Sequence, residues 1–173
     1  MEQIQLKHDE VTQARCIFPI YVVCDNIRSP ENAGMIFRIS EAFGVQKIHF
    51  SNASPKSDNT RLKRAARSTQ SFIEHEYSSD IKNVVIQLKK DGFSLIGIEI
   101  TNTSKSLRNI SFVSYEKIAL VIGAEKNGIS SEILEILDSC IHIPMYGKNS
   151  SMNVVNALAI TLYEISSQIQ NRV

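Results

Sequence analysis

Three polar clusters in this chain of 173 residues follow apolar runs, where backbone donors and reactive side chains can converge. The last is I-P-M-Y-G-K-N-S-S-M-N-V, Ile143 to Val154. Pro144 ends the preceding apolar run because it cannot donate to a sheet ladder. Asn149, Ser150 and Ser151 are all competent helix N-caps, and Ser151 is expected to open a long amphipathic helix. A loop rich in backbone N–H groups beside a helix N-terminus suits a polar ligand. A second loop of this kind, G-A-E-K-N-G-I-S, runs from Gly123 to Ser130, and the two together imply one pocket. Glu125 would oppose a phosphate there, and the chain has neither G-x-G-x-x-G after its first strand nor G-x-x-x-x-G-K-[ST]. Dinucleotide and nucleoside triphosphate chemistry is therefore disfavoured, and a ligand with a cationic or neutral reactive part fits better.

The third cluster, D-N-I-R-S-P-E-N-A-G-M-I-F-R, spans Asp25 to Arg38. Ser29-Pro30 begins a turn, Asn32 is a plausible N-cap, and Gly44 closes the following helix. Met35, Ile36, Ile39, Ala42 and Phe43 are expected to form its buried stripe. Arg38 lies among them, read either as a snorkelling side chain or an ion pair with Glu31 or Glu41, or as a functional group. The segment R-L-K-R-A-A-R carries Arg61, Lys63, Arg64 and Arg67 without an acid. It reads as a solvated helix face or as a phosphate-contacting patch, which can act locally even at a net charge of +1.

The elements that must hold these clusters alternate in type. Strands are expected at Ile20–Cys24, Lys47–Phe50, Phe72–His75, Ser94–Ile98, Ile118–Ile122 and Cys140–Ile143. Helices are expected at Asn32–Phe43, Asn59–Arg67, Ser79–Asp91, Ser130–Leu137 and Met152–Gln170, with Asn102–Ser114 a loop or irregular strand. Continuously apolar runs such as Y-V-V-C and I-A-L-V-I imply strands covered on both faces. The expectation is an α/β fold, a mostly parallel sheet with helices on both faces, in a single domain spanning 1–173. No apolar run reaches the ~18 residues of a membrane span, and the polar start is no secretory signal. Cys16, Cys24 and Cys140 are too scattered for a disulfide framework or metal site, and two of them read as buried thiols. His8, His49, His75 and His142 lack metal-ligand spacing, and His142 reads as structural. Asp25 reads as a turn residue, and Tyr146 as a packed aromatic or a ligand contact. A cytoplasmic protein without metal or membrane partner fits this inventory.

Taken in order, the clusters resemble the SpoU/TrmH family of the SPOUT superfamily of RNA methyltransferases. N-x-G-x-x-x-R appears as Asn32, Gly34 and Arg38; G-x-E-x-x-G-[IL] as Gly123, Glu125, Gly128 and Ile129; I-P-M-x-G-x-x-x-S-[LM]-N-V as Ile143 to Val154. K-R-A-A-R-S-T-Q-S-F-I-E-H resembles the family's basic segment, although many members have Gly where this chain has Ser68. The resemblance implies an S-adenosyl-L-methionine-dependent ribose 2′-O-methyltransferase of tRNA or rRNA, a homodimer with a deep C-terminal trefoil knot. It further implies cofactor contacts from Gly123 and Ile143, completed by Ser151, Met152 and Asn153, with Ile100 beside them. Asn32 and Glu125 would organise the catalytic site, and Arg61, Lys63, Arg64 and Arg67 would contact RNA. Arg38 stands at the family's proposed base. A guanidinium keeps its proton, so fixing a phosphate and polarising the hydroxyl is an alternative role. About nineteen residues precede the first strand, so the N-terminal RNA-binding domain of some relatives is expected to be absent. A D-loop guanosine of tRNA is the favoured target, with the wobble position, an rRNA site or a non-catalytic RNA-binding role as alternatives.

Overall fold

The apolar runs become the middle of one sheet in a computed structural model that describes residues 3–7, 10–11 and 16–170. The elements are β1 (Phe18–Cys24), α1 (Pro30–Ala42), β2 (Val45–Ser51), α2 (Thr60–Ala66), β3 (Glu74–Ser78), α3 (Ile81–Lys90), β4 (Ser94–Ile98), β5 (Lys105–Ser106), β6 (Ile118–Ile122), α4 (Ser131–Leu134), β7 (Ser139–His142) and α5 (Val154–Gln170). The seven strands are ordered β3-β2-β1-β6-β4-β7-β5, and every pairing is parallel. Val22 pairs with Ile48 on one side and Leu120 on the other, and Leu120 with Ile96 in turn.

Side chains alternate across such a sheet, so successive residues serve different layers. Val22 and Leu120 pack with Phe37 of α1, Leu62 of α2 and Leu158 of α5. Val23 and Val121 pack on the other face with Val85 of α3 and Ile133 of α4. Helices thus cover both faces, as the sequence pattern predicts.

Several boundaries differ from expectation for local reasons. Ser29, not Asn32, caps α1: its Oγ accepts from the Asn32 N–H at 3.1 Å, and Pro30 follows it at the start of the helix. The buried stripe of α1 is Ala33, Gly34, Ile36, Phe37 and Ser40, with Met35, Ile39 and Phe43 half-buried and Ala42 exposed. Residues 69–71 form a 3₁₀ turn, so β3 begins at Glu74 and not at Phe72. The helix expected over Ser130–Leu137 is a single turn, and the one expected from Met152 begins at Val154. Cys24 is buried, Cys140 half-buried and Cys16 exposed, all as free thiols. Burial pushes the Cys24 and Cys140 thiols up from their ordinary range. His8 lies outside the described residues. Among the described residues, no helix is long and apolar enough to cross a membrane, and no group of three metal-binding side chains forms.

Candidate active site

The sheet places β6, β4 and β7 side by side, so the loops leaving their C-terminal ends open on one side. Ligands of open α/β sheets bind at that edge. A cleft of ≈ 490 Å³ lies there, lined by Ile100, Gly123, Glu125, Ile143, Ser151, Met152 and Asn153, all singled out from the sequence. Glu99, Lys126, His142, Met145 and Ala157 also line it and were not singled out as ligand contacts.

Glu99 is the most informative of these. Its Oε1 accepts from the Ile100 N–H at 3.0 Å and its Oε2 from the Ile129 N–H at 3.1 Å. One carboxylate therefore ties the loop after β4 to the loop after β6. The second loop folds back on itself, with Ala124 N–H donating to the Gly128 carbonyl at 3.0 Å and Gly128 N–H to the Ala124 carbonyl at 2.9 Å. A Cβ at Gly123 would strike the backbone of Gly128 and Ile129, and one at Gly128 (φ +66°) the Glu99 carboxylate. Asp25, expected as a turn residue, is 1% exposed. It anchors the far end of this loop by accepting from the Ser130 N–H at 2.8 Å.

The three sequence clusters meet at Asn32. Its Nδ2 donates to Glu125 Oε1 at 2.8 Å, and its Oδ1 accepts from Asn153 Nδ2 at 3.3 Å. Glu125 also accepts from the Ser29 and Arg28 N–H groups, at 3.2 and 3.5 Å. Partial burial opposes its charge, yet the hydrogen bonds from Asn32 and the backbone hold its carboxyl below the usual range. Asn153 Oδ1 accepts from the Val155 N–H at 2.8 Å, so it also caps α5. His142 Nδ1 lies 2.9 Å from Ser104 Oγ, fixing the loop after β4 against β7.

Arg38 is not part of this cleft. It lies exposed on α1, and among the described residues it pairs with neither Glu31 nor Glu41. Arg61, Lys63, Arg64 and Arg67 are exposed on and just after α2. The side chain of Asn59 caps α2 by accepting from the Arg61 and Leu62 N–H groups. Gly34 lets α2 lie directly on α1, since a Cβ there would sit 2.7 Å from Ala65 Cβ and 3.0 Å from Ala66 N. Arg38 and the basic segment therefore belong to two helices in contact. Ser68, where the resembled family often has Gly, adopts φ +71°. The local conformation that favours Gly is kept although the residue is not.

The cleft is cofactor-sized. Its walls are an even mix of aliphatic and polar surface, and its charged groups are Glu99, Glu125 and Lys126. Two carboxylates against one ammonium suit a cation better than a polyphosphate. Residues of the loops after β4, β6 and β7 all line it.

A parallel α/β sheet with its site at the C-terminal ends of β4, β6 and β7 defines the class. The profile of the SpoU rRNA Methylase family matches residues 19–163, and the chain belongs to that family. It is 30% identical over 154 residues to the tRNA (guanosine(18)-2'-O)-methyltransferase of Escherichia coli (strain K12), covering 88% of this chain and spanning 66% of that protein. The tRNA (guanosine(18)-2'-O)-methyltransferase of Aquifex aeolicus (strain VF5) is 30% identical over 156 residues, covering 88% of this chain and 71% of the relative. The crystal structure of the A. aeolicus TrmH/SpoU tRNA modifying enzyme superposes with a TM-score of 0.81 at 26% identity, over 91% of this chain and 79% of that one.

Proposed function

We propose that this protein transfers a methyl group from S-adenosyl-L-methionine to a ribose 2′-hydroxyl of RNA, with a D-loop guanosine of tRNA as the favoured target. The observation that carries the reading is the Asn32–Glu125–Asn153 network, which joins all three motifs at the mouth of one cleft. The relatives named for guanosine 18 methylation support the choice of tRNA. Residues 1–173 act as one cytoplasmic methyltransferase domain on this reading.

The sulfonium of the cofactor supplies an electrophilic methyl group, so the protein has chiefly to bind and orient. Ile100, Ile143 and Met152 offer apolar surface to the adenosine, and the Gly123 and Ile143 backbones offer polar contacts to it. Ser151 and Asn153 complete the pocket, and the acidic rim around Glu99 and Glu125 favours a cationic centre. Arg38 holds an RNA phosphate and polarises the 2′-hydroxyl, while Arg61, Lys63, Arg64 and Arg67 hold the flanking backbone.

Arg38 is displaced from the cleft of its own chain, which favours a homodimer in which it serves the partner's cleft. Exposed Ile160 and Tyr163 on α5 support such an interface, with the Tyr163 ring 6.4 Å from that of Phe43 at the end of α1. A C-terminal knot is supported by strand order. β7 lies between β4 and β5 although it follows both in the chain, and the 99–104 connection returns at the level of Ile141.

The test is methyl transfer from labelled S-adenosyl-L-methionine to unmodified tRNA and rRNA, with Arg38→Ala alongside. Transfer to a tRNA ribose, lost in Arg38→Ala while cofactor binding persists, is the expected result. A protein that neither binds the cofactor nor methylates either RNA would sink the reading.

A further inference from the structure

Tyr146 is 80% exposed, the most open large hydrophobic side chain among the described residues, although it directly follows the cleft-lining Met145. It is not packed into the core, so one of its two sequence readings falls. The Arg108 guanidinium lies over its ring at 5.6 Å from the centroid. Lys105, on β5 beside β7, and Lys148, two residues past Tyr146, are also exposed. The two segments that build this rim, 100–115 and 139–163, contain no aspartate or glutamate. Glu99, just before the first segment, is turned to the N–H groups of Ile100 and Ile129, and Asp138, just before the second, to the Leu95 N–H and Lys89.

An open aromatic ring with a guanidinium over it, and exposed ammonium groups on the same two segments, matches single-stranded RNA. Bases stack on rings, and phosphates are neutralised by flanking cations. We infer that Tyr146 is a stacking platform for an unpaired base of the RNA substrate, with Arg108, Lys105 and Lys148 contacting the adjoining phosphates. This surface lies on the β5–β7 side of the cleft and is separate from the α1–α2 surface that carries Arg38 and the basic segment. Arg108 pre-orients the ring, so little conformational freedom is lost when a base docks. The inference rests on RNA being the substrate.

The chain has no tryptophan, so Tyr146→Trp places a single, selectively excited tryptophan at the platform. Titration with a transcribed, unmodified tRNA is expected to quench it, while S-adenosyl-L-methionine alone leaves it unchanged. Tyr146→Ala should bind that tRNA about tenfold more weakly and Tyr146→Phe within about twofold of wild type. Cofactor affinity by calorimetry and mass by sedimentation should stay constant in both. Wild-type tRNA affinity in Tyr146→Ala would overturn the inference. So would a loss of cofactor affinity, which would make the ring a cofactor lid, or a change in mass, which would make it a protein contact. Wild-type protein that binds neither tRNA nor rRNA would overturn the RNA reading and this one with it, whereas an intact wild type with an indifferent Tyr146 overturns this one alone.

Discussion

Gly34→Ala sets two physical effects of opposite sign against each other. Gly34 lies within α1, where alanine is intrinsically better by about 1 kcal/mol. On an open helix face the substitution would therefore stabilise. Here the added methyl would meet the Leu62 carbonyl, with Ala65 Cβ at 2.7 Å and Ala66 N at 3.0 Å. Two of these three atoms are backbone, so no rotamer change relieves the clash and α2 must move away from α1. Leu62 and Ala66 are fully buried, and moving them opens the layer beneath. Overpacking of this kind costs roughly 1–3 kcal/mol, occasionally more. The net expectation is destabilisation by up to about 2 kcal/mol, or a fall in Tm of up to about 8 °C for a chain of this size. Urea denaturation and thermal melts at fixed protein concentration read this directly, since association would add its own contribution. Because α2 carries Arg61, Lys63 and Arg64, RNA affinity should fall as well, with cofactor affinity little changed. A rise in Tm of a few degrees would refute the reasoning, since it would mean that helix propensity governs the site and the two helices are not in tight contact.

Ser68→Gly should stabilise by about 0.5–1 kcal/mol, seen as a higher urea midpoint, because Ser68 sits at φ +71° and its side chain makes no capping bond. His49 is buried, and desolvation followed by the Lys47 charge lowers its pKa, so the folded state keeps it neutral while the unfolded chain takes up a proton near pH 6.5. Stability from this group is complete above that pH and is lost as pH falls toward the lowered folded value, so His49→Gln should flatten the stability profile below about pH 6.5. Glu99→Gln replaces one of two acceptor oxygens with a donor that faces a backbone N–H. It should weaken S-adenosyl-L-methionine binding about tenfold by calorimetry, the scale of one lost charge-assisted hydrogen bond.

The middle of the sheet was readable because β1 and β6 are buried on both faces, which writes a continuous apolar run into the sequence. β3 was not, because Glu74–Ser78 is an edge strand whose residues are exposed or half-buried, and the apolar Phe72-Ile73 just before it drew the expectation forward. α4 was overextended because its apolar spacing continues to Leu137, yet the chain turns at Asp138, whose Oδ2 accepts from the Leu95 N–H at 2.8 Å to start β7. Phe37 escaped the expected stripe of α1, although its ring lies 5.2 Å from Phe50 and 4.9 Å from His75. Its partners lie on β2 and β3, the next two strands in sequence. The cleft-lining motif residues were readable as a set through family resemblance. Glu99 carried only one signal, a carboxylate ending the apolar run of β4, and its second partner is 30 residues distant.

The motif residues divide by what their bonding capacity is already used for. Gly34 is consumed by a helix contact, Gly123 and Gly128 by a folded-back loop, and Asn32, Glu125 and Asp25 by hydrogen bonds across elements. These positions fix where the loops stand, so the Gly123 backbone and the Glu125 charge face a ligand from places the fold has already set. Arg38 is the opposite case, a motif residue bonded to no carboxylate among the described residues. A side chain that contributes no ion pair to the fold, on a helix whose other face is locked to α2, is free to spend its charge on something outside the chain. Substitutions should therefore separate: those at the consumed positions lower stability and cofactor affinity together, while Arg38 can be removed with both intact and only the transfer lost.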